Sequence, residues 1–222
     1  GPSSKPKVAK RSSPLPTVGE FFGRQEELSA ISKALSSPAL KVIGVRGIPG
    51  IGKTTLVAKA ISGISERVFW YSAKPWDSNR TLADALSRFF SDNGNRRLAA
   101  YLSSGRFELG DLSYLLDQEL AENGYTFVFD DVDVCPALQE FLRMFRHSCG
   151  AAKIVTTSEH NPGFYDTSDK VARREVFELE LGGLDETSAV KLLMARGIDG
   201  SLALDSVRVP HGHPLSLEMV TA

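Results

Sequence analysis

The sequence predicts an α/β fold, a three-layer sandwich around a five-stranded parallel sheet, followed by a small helical subdomain. Three observations predict it. Apolar, β-branched runs alternate with amphipathic helical stretches between Glu26 and Leu181. A glycine-rich loop joins the first of those runs directly to a helix, and from Asp185 onward only helical periodicity remains. Strands separated by helices need crossover connections, so they lie parallel, covered on both faces, with any ligand outside their carboxyl ends.

Taken in order, Glu26 to Leu35 reads as a short amphipathic helix with Leu28, Ile31 and Leu35 on one stripe, introduced by the turn Phe21-Phe22-Gly23-Arg24. Leu40 to Val45 is a buried strand that runs into Gly47-Ile48-Pro49-Gly50-Ile51-Gly52-Lys53-Thr54-Thr55 and then a helix carrying Leu56, Val57 and Ala60. Val68 to Tyr71 is a second strand, with Phe69 and Trp70 read as sheet core. Leu82 to Phe90, Arg97 to Leu102 and Leu112 to Leu120 are helical, the last closed by Gly124. Tyr125 to Phe129 is a strand ending in Asp130-Asp131, Leu138 to Phe145 a helix, and Lys153 to Thr157 a strand. Phe177 to Leu181 alternates as a last, edge-like strand, and Asp185 reads as the N-cap of the helices that follow.

The bulk properties bound the function. The chain has 222 residues, 42% hydrophobic and 24% charged, which is the composition of an ordinary globular protein. Lys plus Arg number 26 and Asp plus Glu 27, so a formal charge of −1 supplies no overall pull toward nucleic acid or anionic lipid. The two cysteines, Cys135 and Cys149, make neither a disulfide framework nor a zinc site and read as reduced core thiols. No apolar run approaches the ~20 residues of a membrane span and no signal peptide is visible, so a cytoplasmic, membrane-free protein is expected. Residues 1–16 are set apart as a tag remnant (Gly1 to Ser4) and a disordered Lys, Ser and Pro-rich linker. Residues 17–183 are assigned to the nucleotide-binding unit and 184–222 to the start of a helical unit, the abrupt end at Ala222 reading as truncation.

Gly47-x-x-x-x-Gly52-Lys53-Thr54 is a complete phosphate-cradling loop in the strand-to-helix context its mechanism needs, which makes the sandwich that of a P-loop NTPase. Backbone N–H groups between Ile48 and Thr55, Pro49 having none, can turn toward an anion, and the following helix adds the positive end of its dipole. Lys53 neutralises β- and γ-phosphate charge and the Thr54 hydroxyl ligates Mg²⁺. Asp130, at the end of an apolar strand, is the expected partner of that cation, and Asp131 is placed to polarise an attacking water, with a shorter reach than Glu. Lys53, Asp130 and Asp131 are thus the candidate catalytic residues, and the implied cofactors are ADP or ATP with Mg²⁺.

In order and spacing the motifs resemble those of NB-ARC-type STAND NTPases, the nucleotide switches of plant disease-resistance proteins, apoptosome scaffolds and bacterial or archaeal regulators. The residues that carry the resemblance are Phe22-Gly23-Arg24-Gln25-Glu26, the P-loop, Phe69 to Ser72, Phe129-Asp130-Asp131-Val132, Lys153 to Thr157, Leu184 to Leu193 and Gly212-His213-Pro214-Leu215. The resemblance implies that Val18 to Arg24, Val18 and Phe22 included, flank the adenine, that Asp130 serves Mg²⁺ and that Pro214 packs on the base. It also implies an ADP-bound resting state exchanged for ATP, slow regulatory hydrolysis, a winged-helix and a sensor domain beyond Ala222, and nucleotide-dependent homo-oligomers of the full-length protein. The sequence departs at Ser158, where much of the family has an arginine on the γ-phosphate, and this puts hydrolysis in question. His211 and His213 are read as partly solvated loop residues. Arg24 admits two readings, a charge near the nucleotide or a salt bridge to Glu27.

A second reading is a DNA-associated AAA+ ATPase akin to origin-recognition proteins; the near-zero net charge and the lack of a visible basic reading helix weigh against it. A third is a scaffold that holds nucleotide only for stability.

Overall fold

The computed structural model describes residues 15–64, 67–120, 124–148, 150–207, 212–214 and 217. The tag residues and the expectations placed on Cys149, His211, Leu215 and Ala222 lie outside the described residues. Helix α1 (Gln25–Ser36) leads into β1 (Val42–Arg46), and α2 (Lys53–Ile61) follows the glycine loop. Next come β2 (Val68–Ser72), α3 (Asn79–Asp92), α4 (Arg97–Ser103), α5 (Leu109–Leu120), β3 (Thr126–Asp130) and α6 (Pro136–Phe145). The series ends with β4 (Lys153–Ser158), α7 (Thr167–Val171), β5 (Val176–Glu180), α8 (Glu186–Ala195) and α9 (Gly200–Val207).

The five strands form one sheet in the order β2-β3-β4-β1-β5, and every described pairing is parallel. β5 is an edge strand, as its alternation predicts. β1 lies between β4 and β5, with Val42 opposite both Ile154 and Val176. Because side chains alternate along a strand, Ile43 and Val45 enter one core layer with α1 and α2, while Val42 enters the other. The first layer packs Ile31, Ala34, Leu56, Val57 and Ile61 on Trp70, Val128 and Val155. The second sets α3, α5 and α6 on Phe69, Phe127, Phe129 and Ile154. A third, separate cluster joins Ala189, Leu192, Leu193, Ala203, Val207 and Leu217, with Phe22 and Leu184 packed against it.

Three local features differ from the sequence expectation. Helix α3 starts at Asn79, ahead of its apolar stripe, because Ser78 and Thr81 form a reciprocal capping box. Helix α7 is only five residues and carries no stripe; a box between Asp166 and Asp169 holds its first turn. After Asp130 the chain turns through Asp131, at φ 58, into a 3₁₀ turn over Val132–Val134 before α6.

The second layer is aromatic at its centre. The Phe127 ring meets Phe145 edge to face at 4.9 Å and lies within 6.3 Å of Phe69, Phe89, Phe90 and Tyr125. It is fully buried. Phe127→Ala therefore lowers unfolding stability by about 3–5 kcal/mol, read from urea melts, and Phe127→Leu, which keeps most of the apolar volume, by clearly less; equal losses would show that buried volume is not what holds this layer.

Candidate phosphate-binding site

The loop Gly47–Gly52 is held at its base by the sheet. The Gly47 N–H donates to the Ser158 carbonyl at the end of β4 (3.2 Å), and the Leu181 N–H donates to the Arg46 carbonyl (2.7 Å). Gly52 closes the loop at φ 99, a left-handed conformation that glycine adopts without steric penalty, and acts as N-cap of α2. No side chain caps this helix start and no acid lies in its first turn, so its N–H groups are left for an anion in the cleft.

Lys53, only 6% exposed, donates its Nζ to the carbonyls of Gly47 (2.8 Å) and Ile48 (3.2 Å), so its ammonium lies folded against the loop. Asp130, 4% exposed, accepts from Thr54 Oγ1 (2.9 Å) and Thr157 Oγ1 (2.6 Å), both at its Oδ1. Thr157 Oγ1 in turn accepts from the Asp131 N–H at 2.8 Å, which sets the left-handed turn there. Burial pushes the Asp130 carboxyl above the usual carboxylate range, and the two threonine hydrogen bonds oppose that shift only in part.

Two clefts meet over the loop. The larger, about 400 Å³, is lined by Pro49, Gly50, Gly52, Lys53, Thr54 and Thr55 from the loop and helix, and on its far side by Asp131, Val134, Glu159 and Pro214. The smaller, about 120 Å³, is lined by Phe22, Arg24, Ile51 and Leu184 among others, and shares Gly52, Thr55 and Pro214 with the first. Residues far apart in the chain, Phe22, Lys53, Asp131 and Pro214, are thus brought to one place. Val18 is not among the lining residues of either cleft; it packs against the core layer beneath α1 and α2. Ile48 is 59% exposed at the loop tip.

Arg24 combines its two readings. Its guanidinium pairs with Glu27 at 2.9 Å and also donates to the carbonyls of Gly182 and Ile51 while lining the smaller cleft, so the ion pair fixes the side chain between the loop and the start of the helical segment. That segment docks through Gly212-His213-Pro214. Gly212, at φ 73, accepts from the Leu184 N–H (2.7 Å), and any Cβ there would collide with the Leu184 carbonyl oxygen. His213 is half-buried and its Nε2 lies 2.8 Å from the Pro49 carbonyl; since a carbonyl only accepts, Nε2 carries the proton. This contact and the place of Glu159 were not read from the sequence. The position of Glu159 immediately after β4 was the available signal, whereas nothing local to His213 points to the loop. Ser158 is fully buried and its Oγ has no partner among the described residues.

No protein-family model matches the chain. A STAND protein with a tetratricopeptide repeat sensor from Pyrococcus horikoshii superposes with a TM-score of 0.70 and 26% identity, over 95% of this chain and 31% of that one. Cdc6p from Pyrobaculum aerophilum superposes with a TM-score of 0.56 over 82% of this chain and 51% of that one; at 16% identity it shows the fold alone. Among curated sequences, an uncharacterised WD-repeat-containing protein of Nostoc sp. is 24% identical over 93% of this chain and 18% of its own length. A disease resistance protein of Oryza sativa subsp. japonica is 30% identical over 52% of this chain and 11% of its own length. The chain therefore spans less than a fifth of the curated relatives it matches.

A five-stranded parallel sheet with this loop after β1, the strand beside the central β4, defines a P-loop NTPase. Within that class the chain is similar to a STAND protein and to a disease resistance protein. Among its described residues no helix is long and apolar enough to cross a membrane.

The Asp130 shift has a sign that can be tested without ligand. A carboxyl whose pKa is raised by folding contributes stability that is full below its unfolded value and is lost as pH rises through the folded value. Without ligand, Asp130→Asn matches or exceeds the unmodified protein in urea midpoint at pH 7, and the unmodified protein gains on it as pH falls toward about 4, the ordinary Asp range. A difference that is constant or runs the other way contradicts the burial account.

Proposed function

We propose that this chain is an adenine-nucleotide-binding molecular switch of a STAND-type signalling protein, gripping a nucleotide and Mg²⁺ at the loop and reading it through the helical segment. One observation carries this reading: Pro214, about 160 residues from the loop, lines both the phosphate-side cleft and the smaller cleft beside Phe22 and Arg24. A group that occupied both would touch the loop and the helical segment at once, which is the differential contact a switch requires.

The donor set fits such a ligand. The uncapped start of α2 and the loop N–H groups suit phosphate oxygens, and the buried Lys53 ammonium exchanges two loop carbonyls for phosphate charge. The Thr54 hydroxyl and the Asp130 carboxylate, already 2.9 Å apart, are a hard-oxygen pair suited to Mg²⁺, which Mg²⁺ would reach with phosphate oxygens completing its shell. When bound, Mg²⁺ neutralises β- and γ-phosphate charge. The raised carboxyl pKa of Asp130 marks an anion that a cation would stabilise. The apolar smaller cleft, walled by Phe22, Ile51 and Pro214, would take the base, with Arg24 at its rim.

Hydrolysis in this reading is slow and regulatory. Asp131 borders the phosphate-side cleft and would orient water, while Lys53 is the one cationic side chain among the described lining residues. ADP marks the resting state and ATP the active one, with the unit at 17–183 holding the nucleotide and that from 184 onward responding. In the full-length protein the released surfaces drive self-association in the cytoplasm, under control of further domains.

Lys53→Ala tests the site. Loss of a charge-assisted phosphate contact costs about 1.5–3 kcal/mol, so calorimetric titration shows ADP affinity falling roughly ten- to hundredfold. A change smaller than about twofold would remove the loop from the account.

A further inference from the structure

The phosphate-side cleft carries acids where a triphosphate would bring its last charge. Beyond Lys53, its described charged lining is Asp131 and Glu159, and neither is tied into the Thr54, Asp130 and Thr157 hydrogen bonds by its carboxylate. Glu159 is held close to the loop by the backbone. Its predecessor Ser158 accepts the Gly47 N–H with its carbonyl, so Glu159 is one peptide from the loop's anchor. The N–H groups of Glu159 and His160 both donate to the Asp133 carboxylate, the latter at 3.2 Å, which fixes the turn leaving β4. The Glu159 side chain itself is exposed on the cleft wall. With the Ser158 side chain fully buried, Glu159 is the residue at the end of β4 that meets the cleft.

We infer that Glu159 is a specificity-determining residue that sets this site to favour a nucleoside diphosphate over a triphosphate. The inference rests on the nucleotide reading of the cleft. A Mg²⁺-bound triphosphate carries about one more negative charge than the diphosphate, placed at the end of the phosphate chain. Lys53 and the α2 N-terminus answer the charge common to both ligands, whereas Glu159, with Asp131 beside the same space, faces the extra charge with its own sign. Because Glu159 is exposed, its effect is moderate and screened by salt. The consequence is a resting state kept by repulsion of the third phosphate, relieved wherever a cation is brought against Glu159.

The test is calorimetric titration of this chain with Mg²⁺ and either ADP or the non-hydrolysable β,γ-imido analogue of ATP, for the unmodified protein, Glu159→Gln and Glu159→Lys. The expected result is tighter binding of ADP by the unmodified protein. Glu159→Gln leaves ADP within about twofold and tightens the triphosphate roughly three- to tenfold, Glu159→Lys does so further, and the gain shrinks as salt rises. An unchanged diphosphate-to-triphosphate ratio in both variants, with ADP still bound normally, overturns this inference and leaves the nucleotide reading standing. A fall in ATP turnover at an unchanged ratio also overturns it and makes Glu159 a water-orienting base. Failure of the unmodified protein to bind either nucleotide overturns both.

Discussion

The Asp130 carboxylate holds three elements to one another. It ends β3, receives the Thr54 hydroxyl from the first turn of α2, and receives the Thr157 hydroxyl from β4, with both donors on a single oxygen. Thr157 then passes the constraint on to the Asp131 backbone, turning the chain out of the sheet. The distance between the loop and the strand ends is therefore set before any ligand arrives, which is the pre-organisation that a cation and phosphate site needs. The same burial that makes this junction rigid raises the carboxyl pKa, so the site is built around an anion that hydrogen bonds alone do not fully compensate.

The second constraint is how the helical segment meets the loop. Leu184 and Gly212 are bonded backbone to backbone at a point where no side chain fits, and His213 reaches the Pro49 carbonyl on the loop itself. Pro214 then stands over both clefts. These contacts give the segment two ties, one that closes it on its own first residue, Leu184, and one to the loop. Phe22 strengthens the link from the other side, since it packs on the small cluster of α8 and α9 while lining the smaller cleft.

Much of this was legible in the sequence. The strands were readable because parallel strands buried on both faces are near-continuous apolar runs, as Val42 to Val45 and Thr126 to Phe129 are. The loop was readable because its function demands particular residue types at fixed spacing, and Asp185 because a cap is a local hydrogen bond, here to the Ser188 N–H at 2.9 Å. Helix α7 and the 3₁₀ turn after Asp131 were not, since short elements fixed by turn chemistry and one left-handed residue leave no periodicity. Arg24 shows why alternatives remain open at that level: its ion pair with Glu27 is local, but its carbonyl partners at Ile51 and Gly182 lie 27 and 158 residues away. The His213 contact, 164 residues in span, belongs to the same class of tertiary pairing that no local pattern encodes.

The central claim is that a nucleotide at the loop is felt by the helical segment, and the Leu184 amide, bonded to Gly212, reports on that segment most directly. Its hydrogen exchange, measured with and without ADP and Mg²⁺, should slow together with the amides of Gly50 to Thr55. Protection of the loop amides with an unchanged rate at Leu184 would contradict the account and leave a nucleotide site without a switch.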